Sequence, residues 1–287
     1  MDAKELLKKV RAIEIKSRRL SNQIFAGEYH SSFKGKGMTF SEVREYVYGD
    51  PIKSIDWNVT ARFNHPYIKI FEEERELTVM LLIDVSNSEN FGTQTMLKKE
   101  LIAEISAVLA FSTIQNNDKI GVILFSDKIE KFIPPKKGKK HILRIILELL
   151  NFKASSKKTN VNEALKYLTN VAKKKCAAFI ISDFISSDFS EALKISANKH
   201  DVAAIRIFDG FEANLPKIGL AYFKDLETNE LKWIDTESKS VRNKYSQWYK
   251  QKFTENSEIF KRAKVDFVEV ETGKDYVKPL IKLFKNR

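Results

Sequence analysis

The stretch from Leu77 to Ser88, Leu-Thr-Val-Met-Leu-Leu-Ile-Asp-Val-Ser-Asn-Ser, decides the fold. It begins with an almost unbroken apolar run, which is typical of a strand buried on both faces in the centre of a parallel sheet. The run ends in a D-x-S-x-S loop formed by Asp84, Ser86 and Ser88. Open α/β sheets bind their ligands at the carboxyl ends of the strands. The stretch therefore predicts a central strand that carries half of a hard-metal site.

Apolar runs and helical patterns alternate from this strand to the end of the chain. Further strands are predicted at residues 120–125, 128–133, 177–182, 202–208 and 265–270. Helices are predicted near 94–115, 138–151, 160–173, 188–199 and 238–263, then a last helix to Phe284, with a hairpin over 221–235 that turns at Thr228-Asn229. The strand at 128–133 is expected to be an antiparallel edge strand closed by Pro134-Pro135. This order predicts an α/β fold with a doubly wound, mostly parallel sheet.

The N-terminal part of the chain has a different pattern. Apolar residues at helical spacing predict an amphipathic helix over residues 3–25. Residues 28–76 combine glycines, aromatics and short alternating stretches, which predict a small β-rich module laid against the main sheet. The chain is therefore expected to divide into an N-terminal helix and β-rich module, residues 1–76, and an α/β domain, residues 77–287.

Composition limits the classes of protein to which the chain can belong. Its 287 residues carry 50 basic and 38 acidic side chains, a formal net charge of +12. Such an excess suits an acidic protein partner, nucleic acid or an anionic surface, although solvated lysines on surface loops are the preferred explanation. We find no signal peptide, no apolar run long enough to span a membrane, and a single Cys176. These features favour a cytoplasmic protein.

Two more residues complete the predicted metal site. Thr159 lies just before a predicted helix, and Asp183 directly follows the predicted strand at 177–182. If that strand is the neighbour of the strand ending at Asp84, the two carboxylates face each other over one crevice. Two carboxylates and three hydroxyls are hard oxygen donors of the kind that Mg²⁺ or Mn²⁺ prefers. Neutral hydroxyls leave such an ion electrophilic, so that a partner's acidic residue can fill an open position.

Each site residue also has a purely structural interpretation. Thr159 or Asn160 could cap the following helix, and the two serines could be turn formers that bond their own backbone. Asp183 could be a loop carboxylate near a capping box formed by Asp188 and Glu191. Taken singly, these interpretations are preferred, but the order and placement of the whole set favour the metal site.

The set resembles the metal-ion-dependent adhesion site of von Willebrand factor A-type domains. That family carries a D-x-S-x-S loop after its first strand, a threonine in a later loop and an aspartate after its fourth strand. The resemblance assigns the ligand set to Asp84, Ser86, Ser88, Thr159 and Asp183. Many members have glycine after the last aspartate, whereas Phe184 stands here, so a differently shaped loop is expected.

Several motifs are similar to the bacterial domain of unknown function 58 family. They lie at 33–37, 40–46, 49–50, 55–62, 182–184 and 200–202. The resemblance spans residues 28–235 and implies a von Willebrand A-like domain with a β-rich extension. Members are often encoded beside MoxR-type AAA+ ATPases, which makes such an ATPase the expected partner.

Three functions compete. We favour a non-enzymatic adaptor that grips a partner's acidic residue through Mg²⁺. The alternatives are a metal-dependent phosphoesterase or nuclease, and a basic nucleic-acid-binding protein. Two-metal hydrolysis needs ions that share carboxylates, and only Asp84, Asp183 and Glu89 are candidates, with no evident nucleophile–base pair. The sequence shows no nucleotide-binding loop and no H-E-x-x-H motif. We therefore expect no enzymatic activity.

Overall fold

The computed structural model describes residues 11–17, 19–20, 38–73, 77–90, 97–156, 158–224 and 231–285. Within these, the chain forms two compact units, one from Met1–Tyr29 with Thr78–Arg287 and the other from His30–Leu77. The predicted N-terminal helix is helical at residues 11–17 and 19–20 (α1), and its other residues lie outside the described ranges. The division into domains at residue 76 stays a prediction.

The smaller unit contains a two-stranded antiparallel sheet. Its strands β1 (Met38–Glu45) and β2 (Tyr67–Glu73) flank a short helix, α2 (Trp57–Phe63), which the sequence analysis did not predict. Asp56 explains this helix, because its carboxylate accepts hydrogen bonds from the first free backbone N–H groups, those of Asn58 and Val59. Short strands were expected here, and one local cap is enough to make a helical turn between them.

The larger unit is built on a six-stranded sheet. Its strands are β3 (Thr78–Asp84), β4 (Lys119–Phe125), β5 (Ile129–Lys136), β6 (Ala177–Ser182), β7 (Asp201–Phe208) and β10 (Asp266–Glu271). They lie in the order β10-β7-β6-β3-β4-β5, and all neighbours are parallel except β5, which is antiparallel to β4. A separate hairpin pairs β8 (Leu220–Lys224) with β9 (Leu231–Asp235), and its predicted turn lies outside the described residues. The predicted doubly wound, mostly parallel sheet is confirmed.

Helices cover both faces of this sheet. They are α3 (Lys98–Gln115), α4 (Lys139–Asn151), α5 (Val161–Val171), α6 (Ser190–Lys199), α7 (Gly210–Ala213), α8 (Lys239–Arg262) and α9 (Val277–Lys285). On β3, Leu81 and Ile83 point into the core that contains α3, whereas Met80 and Leu82 point into the core that contains α5 and α6. Burial on both faces explains the continuous apolar run of β3, which a strand exposed on one face would not need.

The edge strand differs from expectation in one respect. Pro134 and Pro135 lie inside β5, which continues to Lys136, although they were expected to close it. A proline cannot donate to the sheet ladder and is tolerated at an edge or a bulge. The pairing of β4 with β5 is irregular between Ile120 and Val122, opposite these prolines. Among the described residues, no helix is both long and apolar enough to cross a membrane.

Candidate metal centre

The five predicted site residues come together at the carboxyl ends of β3 and β6, which are parallel neighbours. Asp84 is the last residue of β3, and Ser86 and Ser88 lie in the loop that follows it. Asp183 directly follows β6, and Thr159 lies just before α5. All five are buried except Ser88, which is half-buried. Residues far apart in the sequence therefore meet at one point of the sheet edge.

Asp84 is held by donors from both neighbouring segments. Its Oδ1 accepts a hydrogen bond from the Ser86 backbone N–H at 2.9 Å, and its Oδ2 accepts one from the Ser182 hydroxyl at 2.7 Å. Burial, followed by the nearby Asp183 carboxylate, raises the pKa of Asp84 to about 6, although these hydrogen bonds oppose the rise. The carboxylate is fixed in place but is not fully compensated in charge.

The three hydroxyl groups form one chain. The Thr159 hydroxyl donates to Ser86 Oγ at 2.9 Å, and Ser86 Oγ lies 3.0 Å from Ser88 Oγ. The Thr159 segment is anchored because the Asn160 N–H donates to the Ser126 carbonyl at the end of β4. The bond between Thr159 and Ser86 joins distant segments, so these two hydroxyls do not serve only their local turns.

The structure shows which residues cap the helices α5 and α6. The Asn160 side chain caps α5 by accepting from the Glu163 N–H, so the cap belongs to Asn160 and leaves the Thr159 hydroxyl free to reach Ser86. Asp188 accepts from the Ser190 N–H, and Phe189 stands at the N-cap of α6, so the capping box expected at Asp188 is wrong.

A buried lysine, which the sequence analysis did not identify, lies beside the site. Lys98 opens α3 and is fully buried, with its Nζ 3.3 Å from Asp183 Oδ2 and 2.7 Å from Glu212 Oε1. Burial alone would lower the pKa of Lys98, but the carboxylates of Glu89, Asp183 and Glu212 raise it above its usual value. Lys98 is therefore a fixed positive charge inside the acidic cluster.

Glu89 adds a third carboxylate to the pair that was predicted. Asp84, Glu89 and Asp183 each offer a carboxylate oxygen, and these oxygens lie within 4.8 Å of one another. Burial is the main cause that raises the pKa of Glu89 well above its usual value, with Lys98 opposing it. Burial likewise raises the pKa of Glu212 against the effect of Lys98. Three acidic groups, Glu89, Asp183 and Glu212, thus act on one ammonium group.

This donor set fits a divalent cation. Buried carboxylates are stable when they are paired or coordinate a metal, and Lys98 can neutralise only part of their charge. Carboxylates and hydroxyls are hard oxygen donors, and the set contains neither thiolate nor imidazole, which points to Mg²⁺, Mn²⁺ or Ca²⁺ rather than zinc. Asp84, Asp183 and the hydroxyl chain are the residues that would hold it, and the Glu89 carboxylate lies beside them.

Phe184 has a left-handed backbone conformation, which glycine adopts more easily than other residues. Its φ is 57°, in the left-handed region, so the loop after Asp183 keeps a conformation that glycine adopts easily. The differently shaped loop expected from Phe184 stays a prediction. The Phe184 ring is buried against Phe189 and Phe260, with centroid distances of 5.9 and 5.0 Å. This packing offsets the backbone strain, which is about 1–2 kcal/mol for a residue that carries a Cβ atom.

A cavity of about 400 Å³ opens beside the site. Asp84, Ser86 and Glu89 line it together with apolar side chains, two serines, and the lysines Lys99 and Lys153. Lys99 donates to the Phe152 carbonyl, which ties α3 to the segment after α4. Part of the candidate metal centre thus lines a partly apolar chamber.

Comparisons with known proteins agree with this architecture. A family model described as "Protein of unknown function DUF58" matches residues 42–255. The uncharacterized protein Rv1480 of Mycobacterium tuberculosis is 27% identical over 232 residues, covering 79% of this chain and 73% of the relative. The crystal structure of the conserved hypothetical protein BatB from Bacteroides thetaiotaomicron aligns with a TM-score of 0.51 and 18% identity, over 73% of this chain and 98% of that chain. An aerotolerance-related membrane protein from Bacteroides fragilis aligns with a TM-score of 0.51 and 16% identity, over 74% and 100%.

The structural alignments concern the fold alone, because sequence identity is low. The parallel sheet, its strand order and the D-x-S-x-S loop at its carboxyl edge agree with the von Willebrand A-like fold that the sequence resemblance implies. The family match covers most of the chain and includes strands of both compact units. The chain therefore belongs to the family described as protein of unknown function DUF58.

Proposed function

We propose that this protein is a non-enzymatic binding module whose metal centre engages an acidic residue of a protein partner. Asp84, Ser86, Ser88, Thr159 and Asp183 would hold Mg²⁺ or Mn²⁺, and the partner's carboxylate would complete the coordination. A bound divalent cation supplies positive charge and an electrophilic coordination position, and it breaks no bond of the partner. The protein's own residues orient the oxygens and exclude water from the buried side.

One observation carries this proposal. Three buried carboxylates approach within 4.8 Å of one another beside a chain of three hydroxyls, at the edge where such sheets bind ligands. A structural cluster of acids would be expected to have one basic partner for each charge, because unpaired buried charges are costly. Here one lysine serves Asp183 and Glu212 together, and no donor among the described residues bonds to Glu89.

The acidic nature of the partner has a second source of support. The chain has a net charge of +12, which accelerates association with an acidic surface through long-range attraction. A MoxR-type AAA+ ATPase remains the proposed partner on the strength of the family resemblance. The cytoplasmic location also stays a prediction.

Capture from cell lysate tests the adaptor. The full chain is immobilised with Mg²⁺ or with EDTA, and bound proteins are identified by mass spectrometry. The test variant is Ser86→Ala, which breaks the hydroxyl chain. The matched control is Ser112→Ala, because Ser112 is a buried serine whose hydroxyl bonds only its own helix, at the Leu109 carbonyl.

The adaptor predicts that an AAA+ ATPase, or a protein that such an ATPase acts on, is recovered with Mg²⁺ by wild type and by the Ser112→Ala control. It should be lost with EDTA and with Ser86→Ala. If the same partner is also recovered in the presence of EDTA, its binding does not depend on the metal, which would contradict the proposal. Turnover of a phosphodiester substrate that requires Asp84 would favour the enzymatic alternative.

A further inference from the structure

Glu89 is a buried acid that the proposed ligand set leaves unused. It is 2% exposed, and neither of its carboxylate oxygens has a hydrogen-bond partner among the residues that the structure describes. Its carboxylate nevertheless faces those of Asp84 and Asp183 within 4.8 Å. A buried acid in such surroundings is costly, and the structure places it where a cation would remove the cost.

Other buried acids of the same unit do have hydrogen-bond donors. Asp84 accepts from Ser86 and Ser182, and Glu104 accepts from the Tyr276 hydroxyl and from Lys16. Even Lys98, which lies close enough to affect Glu89 electrostatically, makes its hydrogen bonds to other carboxylates. Among the buried acids that the structure describes, Glu89 is the one whose two carboxylate oxygens both lack a hydrogen-bond partner.

We propose that Glu89 is an internal ligand of the cation, and that it occupies the position which an acidic residue of a partner takes over. This inference rests on the proposed function, and it adds a competition between two carboxylates for one coordination position. Glu89 lies one residue beyond Ser88, so the same loop supplies two of the hydroxyls and the competing acid.

The number of donors explains why competition is needed. With Glu89, the chain itself offers three carboxylates and three hydroxyls, a total of six oxygen donors. Six oxygens complete an octahedral shell, whereas Mg²⁺ sites usually contain one or two protein carboxylates and keep several waters. The centre is therefore closed while Glu89 is in place and opens when Glu89 leaves.

The neighbouring cavity gives the displaced side chain somewhere to go. Glu89 lines the chamber of about 400 Å³, and so do Lys99 and Lys153. A carboxylate that leaves the metal centre thus enters a space with room for it and with two positive charges in its walls. This arrangement lowers the cost of exchanging Glu89 for a partner's acid.

Metal titration with chemical rescue tests the inference. Mn²⁺ is titrated calorimetrically into the full chain as wild type, Glu89→Ala, Glu89→Gln and Asp84→Asn. The matched control is Glu104→Gln, which neutralises a buried glutamate away from the site. Replacing a residue that only supports a metal ligand typically costs 10–100-fold in affinity, so Glu89→Ala should weaken Mn²⁺ binding about tenfold or more. Acetate should restore most of that loss in Glu89→Ala, and it should not strengthen binding in wild type.

The outcomes distinguish the role of Glu89 from the proposed metal centre itself. Unchanged Mn²⁺ affinity in both Glu89 variants, with loss in Asp84→Asn, would overturn the internal ligand and leave the proposed function standing. Acetate that strengthens binding equally in wild type would show that the position is already open, with the same consequence. Failure of wild type to bind Mn²⁺ at all would overturn the proposed metal centre as well. Glu89→Gln keeps the size of the side chain, so it decides the matter if Glu89→Ala does not fold.

Discussion

Replacing Asp84 by asparagine should stabilise the metal-free protein at neutral pH. The folded chain holds this carboxylate in a buried site beside Asp183, where the charged form is disfavoured. Asparagine has the same shape, and its oxygen can still accept from the Ser86 N–H. Its amide can donate to the hydroxyl of Ser182, which must then act as an acceptor. The substitution thus removes the buried charge with little loss of hydrogen bonding.

The size of the effect follows from the pKa of Asp84. Folding raises it from 3.8 to about 6. The folded state therefore binds the proton more tightly than the unfolded state, and the free energy of unfolding falls as pH rises from about 4 to 6. At pH 7 the full loss is present, and it amounts to about 3 kcal/mol. After allowance for poorer hydrogen bonds, we expect Asp84→Asn to be about 1–3 kcal/mol more stable than wild type at pH 7, and equal to it near pH 4.

Urea unfolding in EDTA, followed by circular dichroism at pH 4, 5, 6 and 7, measures this difference. Glu104→Gln is the control, because it neutralises a buried acid that has hydrogen-bond donors, so it should not be more stable than wild type at pH 7. A second arm adds 10 mM Mg²⁺. For a dissociation constant of ~1 mM, Mg²⁺ should raise the free energy of unfolding of wild type by about 1.4 kcal/mol, which corresponds to roughly 2–4 °C in Tm. It should leave the stability of Asp84→Asn unchanged. An asparagine variant that is less stable than wild type in EDTA at pH 7, and that responds equally to Mg²⁺, would refute the reasoning.

Three further substitutions test other parts of the larger unit. Lys98→Met should lower the free energy of unfolding at pH 7 by about 3–5 kcal/mol in urea titrations, because it leaves buried carboxylates without their counter-ion. Phe184→Gly should be about 1 kcal/mol more stable than Phe184→Ala, since both lose the ring but only alanine retains the left-handed strain. Gly121→Ala should cost about 1–3 kcal/mol and lower Tm, because its Cβ would lie 2.9 Å from a sulfur atom and 3.0 Å from two backbone atoms.

The sheet could be predicted from sequence because its signals are local. The run before Asp84 is apolar on both faces, and most of the later strands of the sheet are separated from the next by a helix. The short helix α2 was missed because it depends on one cap, Asp56, in a segment rich in strand formers. The extent of β5 was missed because Pro134 and Pro135 stop most strands, and only its place at the edge of the sheet lets this strand continue.

The site could be predicted only as far as its motif extends. The D-x-S-x-S spacing and the ends of two strands identify four of the five side chains that meet, and the family resemblance adds Thr159. Lys98 and Glu212 carry no such signal, because their ion pair joins the start of α3 to the one-turn helix α7 across 114 positions of sequence. A capping box between Asp209 and Glu212 was present in the sequence and could have identified α7. This motif could not have predicted that Glu212 also forms an ion pair with Lys98.

Lys98 also explains how the acidic cluster can exist without a cation. Its ammonium neutralises part of the charge of Asp183 and Glu212, and the raised pKa values of Asp84 and Glu89 let protons neutralise more. We therefore expect the fold to form without the metal, in contrast to structural zinc sites, whose domains unfold without metal. A cation that is not required for folding can bind and leave reversibly. Metal occupancy, and with it the proposed grip on a partner, can then respond to changes in ion concentration while the fold stays intact.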